Sequence, residues 1–376
     1  MTSGGAMLAR SARLAAVRDR MRELSVECLL LSVGADLPWL TGYEAMPLER
    51  VTMLVLPADD EATLVVPELE APRVAHDARL FAMRPWKESE DAIEVIAALV
   101  AGRSRLAISD RTWAVHLLAL ERRLRATSWR AASEVTSPLR SVKDPLEIAA
   151  LAAAGAAADR VAGALLSGEI PLIGRSEADV SAELGRRLVA EGHVKVNFAI
   201  VGSGPNSASP HHEPGARRIE AGEPVVCDFG GSLQLDDTVG YCSDITRTVV
   251  TGEPGGELKE LYAVLQEAQQ LAVQASRVGV ACEAVDAAGR EHIARAGYGD
   301  AFIHRIGHGI GIEEHEEPYM VAGNETRLVA GHAFSVEPGI YLKGRFGARI
   351  EDVVVATKSG PLRCNSADHL LHVVAT

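Results

Sequence analysis

The chain has 376 residues, 47% of them hydrophobic and 24% charged, with a formal net charge of −13. Such a length exceeds what most single cores sustain and predicts two domains, and the composition describes a folded globular protein, not a disordered or fibrous one. The acidic balance argues against a nucleic-acid partner, which selects basic surfaces, and offers no polybasic patch to a membrane.

The opening residues lack the apolar core of a secretory signal, and no uninterrupted run of about 18 apolar residues predicts a bilayer span. Five scattered cysteines, odd in number and without CxxC spacing, fit a reducing cytoplasm. Residues 9–25 set Leu14, Val17, Met21 and Leu24 on one stripe of an amphipathic helix. Short apolar runs at 28–33, 51–56 and 62–66 predict buried strands, the last two joined by a polar turn. A helix over 93–100, a strand over 106–109 and a helix over 115–124 continue an alternation that predicts a small α/β domain. Without a GxGxxG after a strand, it is not expected to bind a nucleotide.

The segment Thr136-Ser137-Pro138-Leu139-Arg140 reads as a linker, dividing the chain into domains 1–138 and 139–376. Beyond it, Ala-rich 145–166 and then 177–191 predict helices, the second stopped by Gly192. A β-rich stretch runs from about 198 to 251, followed by helices over 257–278 and 282–296 and short strands at 333–336, 339–342 and 348–356. Helix, helix, strands, helix, helix, strands predicts an α+β domain with a duplicated half.

Residues 225–248 predict two strands joined by a Gly- and Asp-rich turn, with Asp228 ending the first and Asp244 opening the second. Two acids side by side in an apolar sheet repel unless a proton, an arginine or a metal lies between them. Four further stretches carry ionisable groups in apolar surroundings: Pro210-His211-His212-Glu213, the Gly-rich run from His304 to His315, Ser335-Val336-Glu337-Pro338, and Arg349-Ile350-Glu351-Asp352. On its own Glu351 reads as the outward residue of a half-exposed strand. Taken together, Asp228, Asp244, Glu337 and Glu351 supply four negative charges and His308 a neutral nitrogen, which would balance two divalent cations about 3.5–4 Å apart. Mostly oxygen ligands favour manganese, with cobalt, iron or zinc as alternatives. Competing local readings are weaker. Asp228-Phe229-Gly230 lacks the other kinase segments, glycines at 307, 309 and 311 oppose a helical His304–His308 zinc pair, and there is no GxSxG serine elbow.

Five motifs in this order, Asp228-Phe-Gly-Gly, Gly240-Tyr-Cys-Ser-Asp-Ile-Thr-Arg-Thr, Gly307-His-Gly-Ile-Gly, Val336-Glu-Pro-Gly-Ile-Tyr and Arg349-Ile-Glu-Asp, resemble the creatinase-like or pita-bread metallopeptidases. That family includes Xaa-Pro aminopeptidases, prolidases and methionine aminopeptidases. The resemblance runs from about residue 141 to the end. It is looser before that, resting on an α/β domain and the segment from Trp39 to Tyr43, a layout similar to prolidase and aminopeptidase P. It implies an α+β pita-bread C-terminal domain behind a smaller α/β N-terminal domain.

Carried over by position, it implies that Asp228 chelates one metal, that Asp244 and Glu351 bridge both, and that His308 and Glu337 hold the other. A bridging hydroxide would be the nucleophile, with Glu337 also moving protons. His211, His304 and His315 match the family's non-ligand histidines, which orient substrate and stabilise the oxyanion. His211 is preferred to His212 because it directly follows Pro210. Arg349, two residues before Glu351 in one expected strand, would share its face and hold a bridging carboxylate. Cys242 is expected to be a buried core thiol. Trp39 and Tyr43 are expected to pack within the first domain, although the family's dimers offer them a neighbouring subunit. The two aspartates stand further apart than the family's usual spacing, and the excess at 232–238 makes Asp236 and Asp237 alternative chelators.

The implied function is a cytoplasmic, homodimeric, two-metal exopeptidase that hydrolyses the Xaa-Pro bond of a dipeptide or short peptide. Hydrolysis of another small amide or amidino compound, and a catalytically silent binding domain, are the alternatives.

Overall fold

The computed structural model describes residues 3–235 and 239–375. They form two compact units. One runs to Arg140 and takes in Leu235 and Val239, and the other holds the remainder.

In the first unit the elements follow as α1 (Ser3–Glu23), β1 (Cys28–Leu31), α2 (Asp36–Thr41), β2 (Met53–Pro57), β3 (Thr63–Pro67), β4 (Ala82–Trp86), α3 (Ala92–Leu99), β5 (Arg105–Ile108), α4 (Ala114–Arg123), β6 (Ser128–Ala131) and α5 (Ser133–Arg140). The six strands form one mixed sheet in the order β4-β3-β2-β1-β5-β6. Central β1 buries all four residues because both its faces are covered. Cys28 and Leu30 join Met53, Val55, Ile96 and Leu106 in one core, so by the two-residue period Leu29 and Leu31 face the other side. Trp39 and Tyr43 are also buried within this unit.

The expected linker at 136–140 is instead the second half of α5, Pro138 included. Tertiary contacts override the proline. Thr136 Oγ1 donates to Asp36 Oδ2 (3.0 Å) and to the Ala132 carbonyl (3.1 Å), and Arg140 Nη1 donates to Asp36 Oδ1 (2.9 Å).

The second unit continues with α6 (Pro145–Leu166), α7 (Glu177–Ala190), β7 (His193–Ser203), β8 (Pro224–Leu233), β9 (Tyr241–Cys242), β10 (Ile245–Val250), α8 (Gly256–Ala275) and α9 (Cys282–Arg295). It closes with β11 (Gly307–Gly309), β12 (Glu316–Met320), β13 (Ala333–Val336), β14 (Gly339–Leu342), β15 (Phe346–Arg349), β16 (Asp352–Thr357), β17 (Gly360–Arg363) and β18 (His372–Val373). Helix starts follow local chemistry. Asp144 accepts from the Leu146 and Glu147 amides while the Glu147 side chain accepts from the Asp144 amide, and Ser176 and Asp179 make the same box on α7.

Two layers repeat. The sheet β18-β10-β8-β7 packs on α6 and α7 through Val225, Cys227, Phe229 and Ile245 against Val161, Leu165 and Leu184. The sheet β12-β11-β13-β16-β17 packs with α8 and α9 through Phe334, Val336 and Val354 against Leu265, Val285 and Ile293. Each fully buried Leu or Val there contributes about 1.5–3 kcal/mol. Among the described residues, α6 alone is long and apolar enough to cross a membrane, and 61% of its apolar window is buried inside the unit.

The continuous strand expected over 348–356 is two strands in two sheets, β15 paired with β14 and β16 with β13. Ile350 lies at the break, buried in the core with Val336 and Ile340, and the chain turns there without any loss of apolar character.

Candidate metal centre and active site

On β8, Val225, Cys227 and Phe229 pack toward the helices, so Asp228 points to the opposite face. Thr246 on β10 pairs directly with Asp228, and Asp244, two residues earlier, presents its side chain on the same side. Asp228 therefore sits in mid-strand and Asp244 just precedes its strand, not at the strand end and strand start expected from sequence. The strand runs on because Gly230 and Gly231 have no Cβ to strike the Ser243 and Lys195 carbonyls packed against them.

His308 is centred on β11. A Cβ on Gly307 would strike the Ser335 carbonyl, and one on Gly309 the Glu316 and Glu317 carbonyls, so only glycines let this strand fit between its neighbours. The His308 amide donates to Ser335 Oγ (3.0 Å). Its ring Nδ1 lies 3.1 Å from the Gly309 carbonyl. A carbonyl only accepts, so Nδ1 carries the hydrogen and Nε2 presents a lone pair. That nitrogen is 3.3 Å from Glu337 Oε1 and 3.7 Å from Asp244 Oδ2. Glu337 follows β13 and accepts from Ser335 Oγ (3.2 Å). Glu351 occupies the break before β16, where its amide donates to the Thr246 carbonyl (3.1 Å) and its Oε2 accepts from Thr246 Oγ1 (2.7 Å). The ligating atoms of Asp244, His308 and Glu351 lie within 4.8 Å of one another.

Arg349 closes the arrangement behind these acids. Its Nη2 donates to Asp228 Oδ2 (2.6 Å), its Nη1 to Tyr341 Oη (2.8 Å) and its Nε to Thr246 Oγ1 (3.1 Å). The expectation that Arg349 and Glu351 lie in one strand is therefore corrected, although both side chains line the same cavity. Arg349 ends β15, grips Asp228 directly, and reaches Glu351 only through Thr246. Tyr341 also contacts His304 Nε2 (3.0 Å), whose Nδ1 is bound to the Arg305 carbonyl (2.7 Å), so the tyrosine hydroxyl donates to His304 while accepting from Arg349.

A cavity of about 300 Å³ brings together Asp228, Asp244, His308, Glu337, Glu351 and Arg349, together with His211, His304 and His315. His315 lies against His308, ring centroids 3.9 Å apart. His212 turns away, its Nε2 2.7 Å from Glu177. Cys242 is buried, its Sγ 3.3 Å from the Ile312 carbonyl, and burial pushes its thiol up to about 12. Asp236 and Asp237 lie outside the described residues.

Electrostatics mark the same cluster. Burial, then the charges of Asp228 and Glu337, holds the Asp244 carboxyl well above the usual range. Burial and then Asp244 do the same to Glu351. Glu337 is lifted to about 7, chiefly by burial. His308 is pushed down to about 3 by burial and by His315, which favours the neutral, ligand-competent ring. Burial lowers His304 to about 4.

Sequence reasoning assigned no role to Thr246, Ser335 or Tyr341, although Thr246 and Tyr341 lie within the quoted motifs and Ser335 directly precedes one. Their hydroxyls join the charged residues to one another. The available signal was polarity at alternate positions of apolar strands, on the face that carries the acids.

The model of metallopeptidase family M24 matches residues 149–358, and that of the creatinase/prolidase N-terminal domain matches residues 13–142. The chain belongs to metallopeptidase family M24. It is 43% identical to the probable dipeptidase PepE of Mycobacterium tuberculosis over 366 residues, 96% of each chain. It is 35% identical to the Xaa-Pro dipeptidase of Lactobacillus helveticus over 341 residues, 88% of this chain and 90% of that one. The crystal structure of dipeptidase PepE from Mycobacterium ulcerans superposes with a TM-score of 0.90 at 43% identity, covering 98% of each chain. The family's pita-bread fold with its creatinase-type N-terminal domain is thus the fold of this chain, and as an M24 member it is a metal-dependent hydrolase.

The residues present fit a divalent metal. Asp228 Oδ1 is buried without a hydrogen-bond partner, the His308 lone pair faces two carboxylates, and a crowd of buried acids lacks matching positive charge. A cation there would reverse the upward displacement of the carboxyls.

Proposed function

We propose that the chain hydrolyses Xaa-Pro dipeptides using two divalent ions held by Asp228, Asp244, His308, Glu337 and Glu351. The observation that carries this reading is the convergence of Asp244, His308 and Glu351 ligand atoms within 4.8 Å in a buried cavity. Bound metal supplies positive charge that polarises the scissile carbonyl and makes a water nucleophilic at neutral pH. The protein residues do the rest. Arg349 holds Asp228 in place, while Thr246 fixes one oxygen of Glu351. Glu337, ionised beside the bound metal, takes a proton from the attacking water and passes it toward the departing proline nitrogen. His211, His304 and His315 border the cavity and orient the peptide; His211 and His315 can donate to the developing oxyanion, whereas both ring nitrogens of His304 are engaged by Arg305 and Tyr341.

Phe198, Ile200 and Pro210 give one side of the cavity an apolar wall suited to a prolyl ring. Its volume of about 300 Å³ lies at the small end of ligand pockets and suits a dipeptide better than a long peptide. The names of relatives, Xaa-Pro dipeptidase among them, support that choice. Manganese is the proposed ion, because the donors are mostly carboxylate oxygens. All five cysteines are buried free thiols, which supports a reducing cytoplasm. The family resemblance supports a homodimer. The test is hydrolysis of Ala-Pro, Ala-Pro-Ala and Ala-Ala by manganese-loaded protein. Cleavage of Ala-Pro foremost is expected, and metal-loaded protein inert toward both proline substrates would overturn the proposal.

A further inference from the structure

His211 lies on a turn outside any strand or helix, so its place beside the cavity depends on what anchors that turn. The next residue supplies an anchor. His212 Nε2 is 2.7 Å from Glu177 Oε2, and because a carboxylate only accepts, that nitrogen is the donor. Glu177 is the first residue of α7 and is completely buried, at 0% exposure. Its carboxylate gathers donors from both sides of the turn. The Ser203 amide (2.8 Å) and Oγ (2.7 Å) come from the end of β7, and Asn206 Nδ2 (3.0 and 3.1 Å) from the 3₁₀ turn Gly204–Ala208. Burial alone would raise this acid, but hydrogen bonds from His212 and Ser203 outweigh it and hold Glu177 below the usual range.

The return arm is fastened to the same helix start. The Glu177 amide donates to the Arg217 carbonyl (3.0 Å) and the Ala178 amide to the Gly215 carbonyl (3.0 Å). From the other side Ser207 Oγ accepts from the Gly347 amide (2.9 Å), on the strand that ends in Arg349. Desolvating a carboxylate is costly, and an apolar side chain would fill this space more cheaply. What the acid achieves is geometric: it ties β7, the 3₁₀ turn and His212 to one point and thereby fixes the direction of His211.

We infer that Glu177 and His212 form a latch that positions His211 over the cavity, and that both are positioning residues for hydrolysis. This rests on the proposed function, in which His211 touches the substrate. The test measures kcat and KM on Ala-Pro, metal content and Tm for His211→Ala, His212→Leu, His212→Gln and the His211→Ala/His212→Leu double variant. His212→Leu should lower kcat/KM by about a hundredfold, the scale of a misplacement of about 1 Å. His212→Gln keeps a donor at the same reach and should recover most of that loss. In the His211→Ala background, His212→Leu should cost no more than about twofold, because a latch acting through His211 has nothing left to position. Metal content should match wild type throughout.

Additive losses, wild-type activity of His212→Leu, or loss of metal would each overturn the latch. Should His212→Leu fail to fold, His212→Asn, polar but too short to reach Glu177, takes its place. A crystal structure of the variant separates this inference from the functional reading. If wild type leaves Ala-Pro intact, the functional reading fails. The latch then stands if His211 is displaced in the variant and falls if His211 keeps its place.

Discussion

Neutralising Glu337 should have opposite consequences with and without metal. In the metal-free chain burial lifts this carboxyl from 4.5 to about 7. Ionising it inside the fold therefore costs about 3 kcal/mol, at about 1.4 kcal/mol per pKa unit. Between those two values the folded state keeps a proton that the unfolded state has released, so the contribution of Glu337 to stability falls as pH rises. Glu337→Gln cannot ionise and should gain about 3 kcal/mol relative to wild type across that window. Taking the difference removes His304, which, pushed down to about 4, gives a slope of opposite sign that both proteins share. Asp244 and Glu351, held up in part by the Glu337 charge, add to the difference with the same sign as Glu337. With metal bound, ionised Glu337 becomes a ligand, and the same substitution should destabilise. Urea denaturation of EDTA-treated and manganese-loaded protein from about pH 5 to about pH 7 reads both effects. A metal-free difference that stays flat with pH, or one that keeps its sign after metal loading, would refute the reasoning.

Other substitutions probe the remaining parts. Arg349→Met leaves the Asp228 carboxylate buried without its partner and should cost about 3–5 kcal/mol in metal-free protein by urea denaturation. Arg349→Lys, whose single ammonium cannot serve Asp228, Tyr341 and Thr246 together, should lower turnover while retaining metal. His304→Ala and His315→Ala should depress kcat with metal content near wild type by elemental analysis, and loss of metal from His315→Ala would remove His308 from its place as sole imidazole ligand. Asp228→Asn should lose metal, whereas the Asp236→Asn/Asp237→Asn pair should not.

Elements built from local chemistry were legible in the sequence. The start of α6 follows from Asp144, Pro145 and Glu147, and the two short strands β13 and β14 match their apolar runs on either side of Glu337-Pro338. Elements lacking an apolar pattern were not. β6 is mostly exposed, β4 contains Pro85, and β7 begins with a buried His193 followed by exposed Val194 and Lys195. The residues of the site could be picked out because each is an ionisable group interrupting an apolar run. Their connections could not. By apolar pattern Arg349 and Glu351 share a strand, whereas in the fold Ile350 lies between strands of two different sheets. The choice between His211 and His212 depends on Glu177, thirty-five residues earlier, and no reading of Pro210-His211-His212 alone contains it. Long-range pairing supplied what local pattern lacked.

In the proposed mechanism Asp228, Asp244, His308, Glu337 and Glu351 hold a metal pair that makes the chain a peptidase. The most direct test of that role is a manganese titration of EDTA-stripped protein, following bound metal and Ala-Pro hydrolysis in the same samples, alongside Glu351→Gln. Activity should be absent at the start, rise as two equivalents bind, and vanish with reduced metal occupancy in the variant. Full activity in stripped protein, saturation at one equivalent, or a Glu351→Gln variant that binds and cleaves like wild type would contradict it.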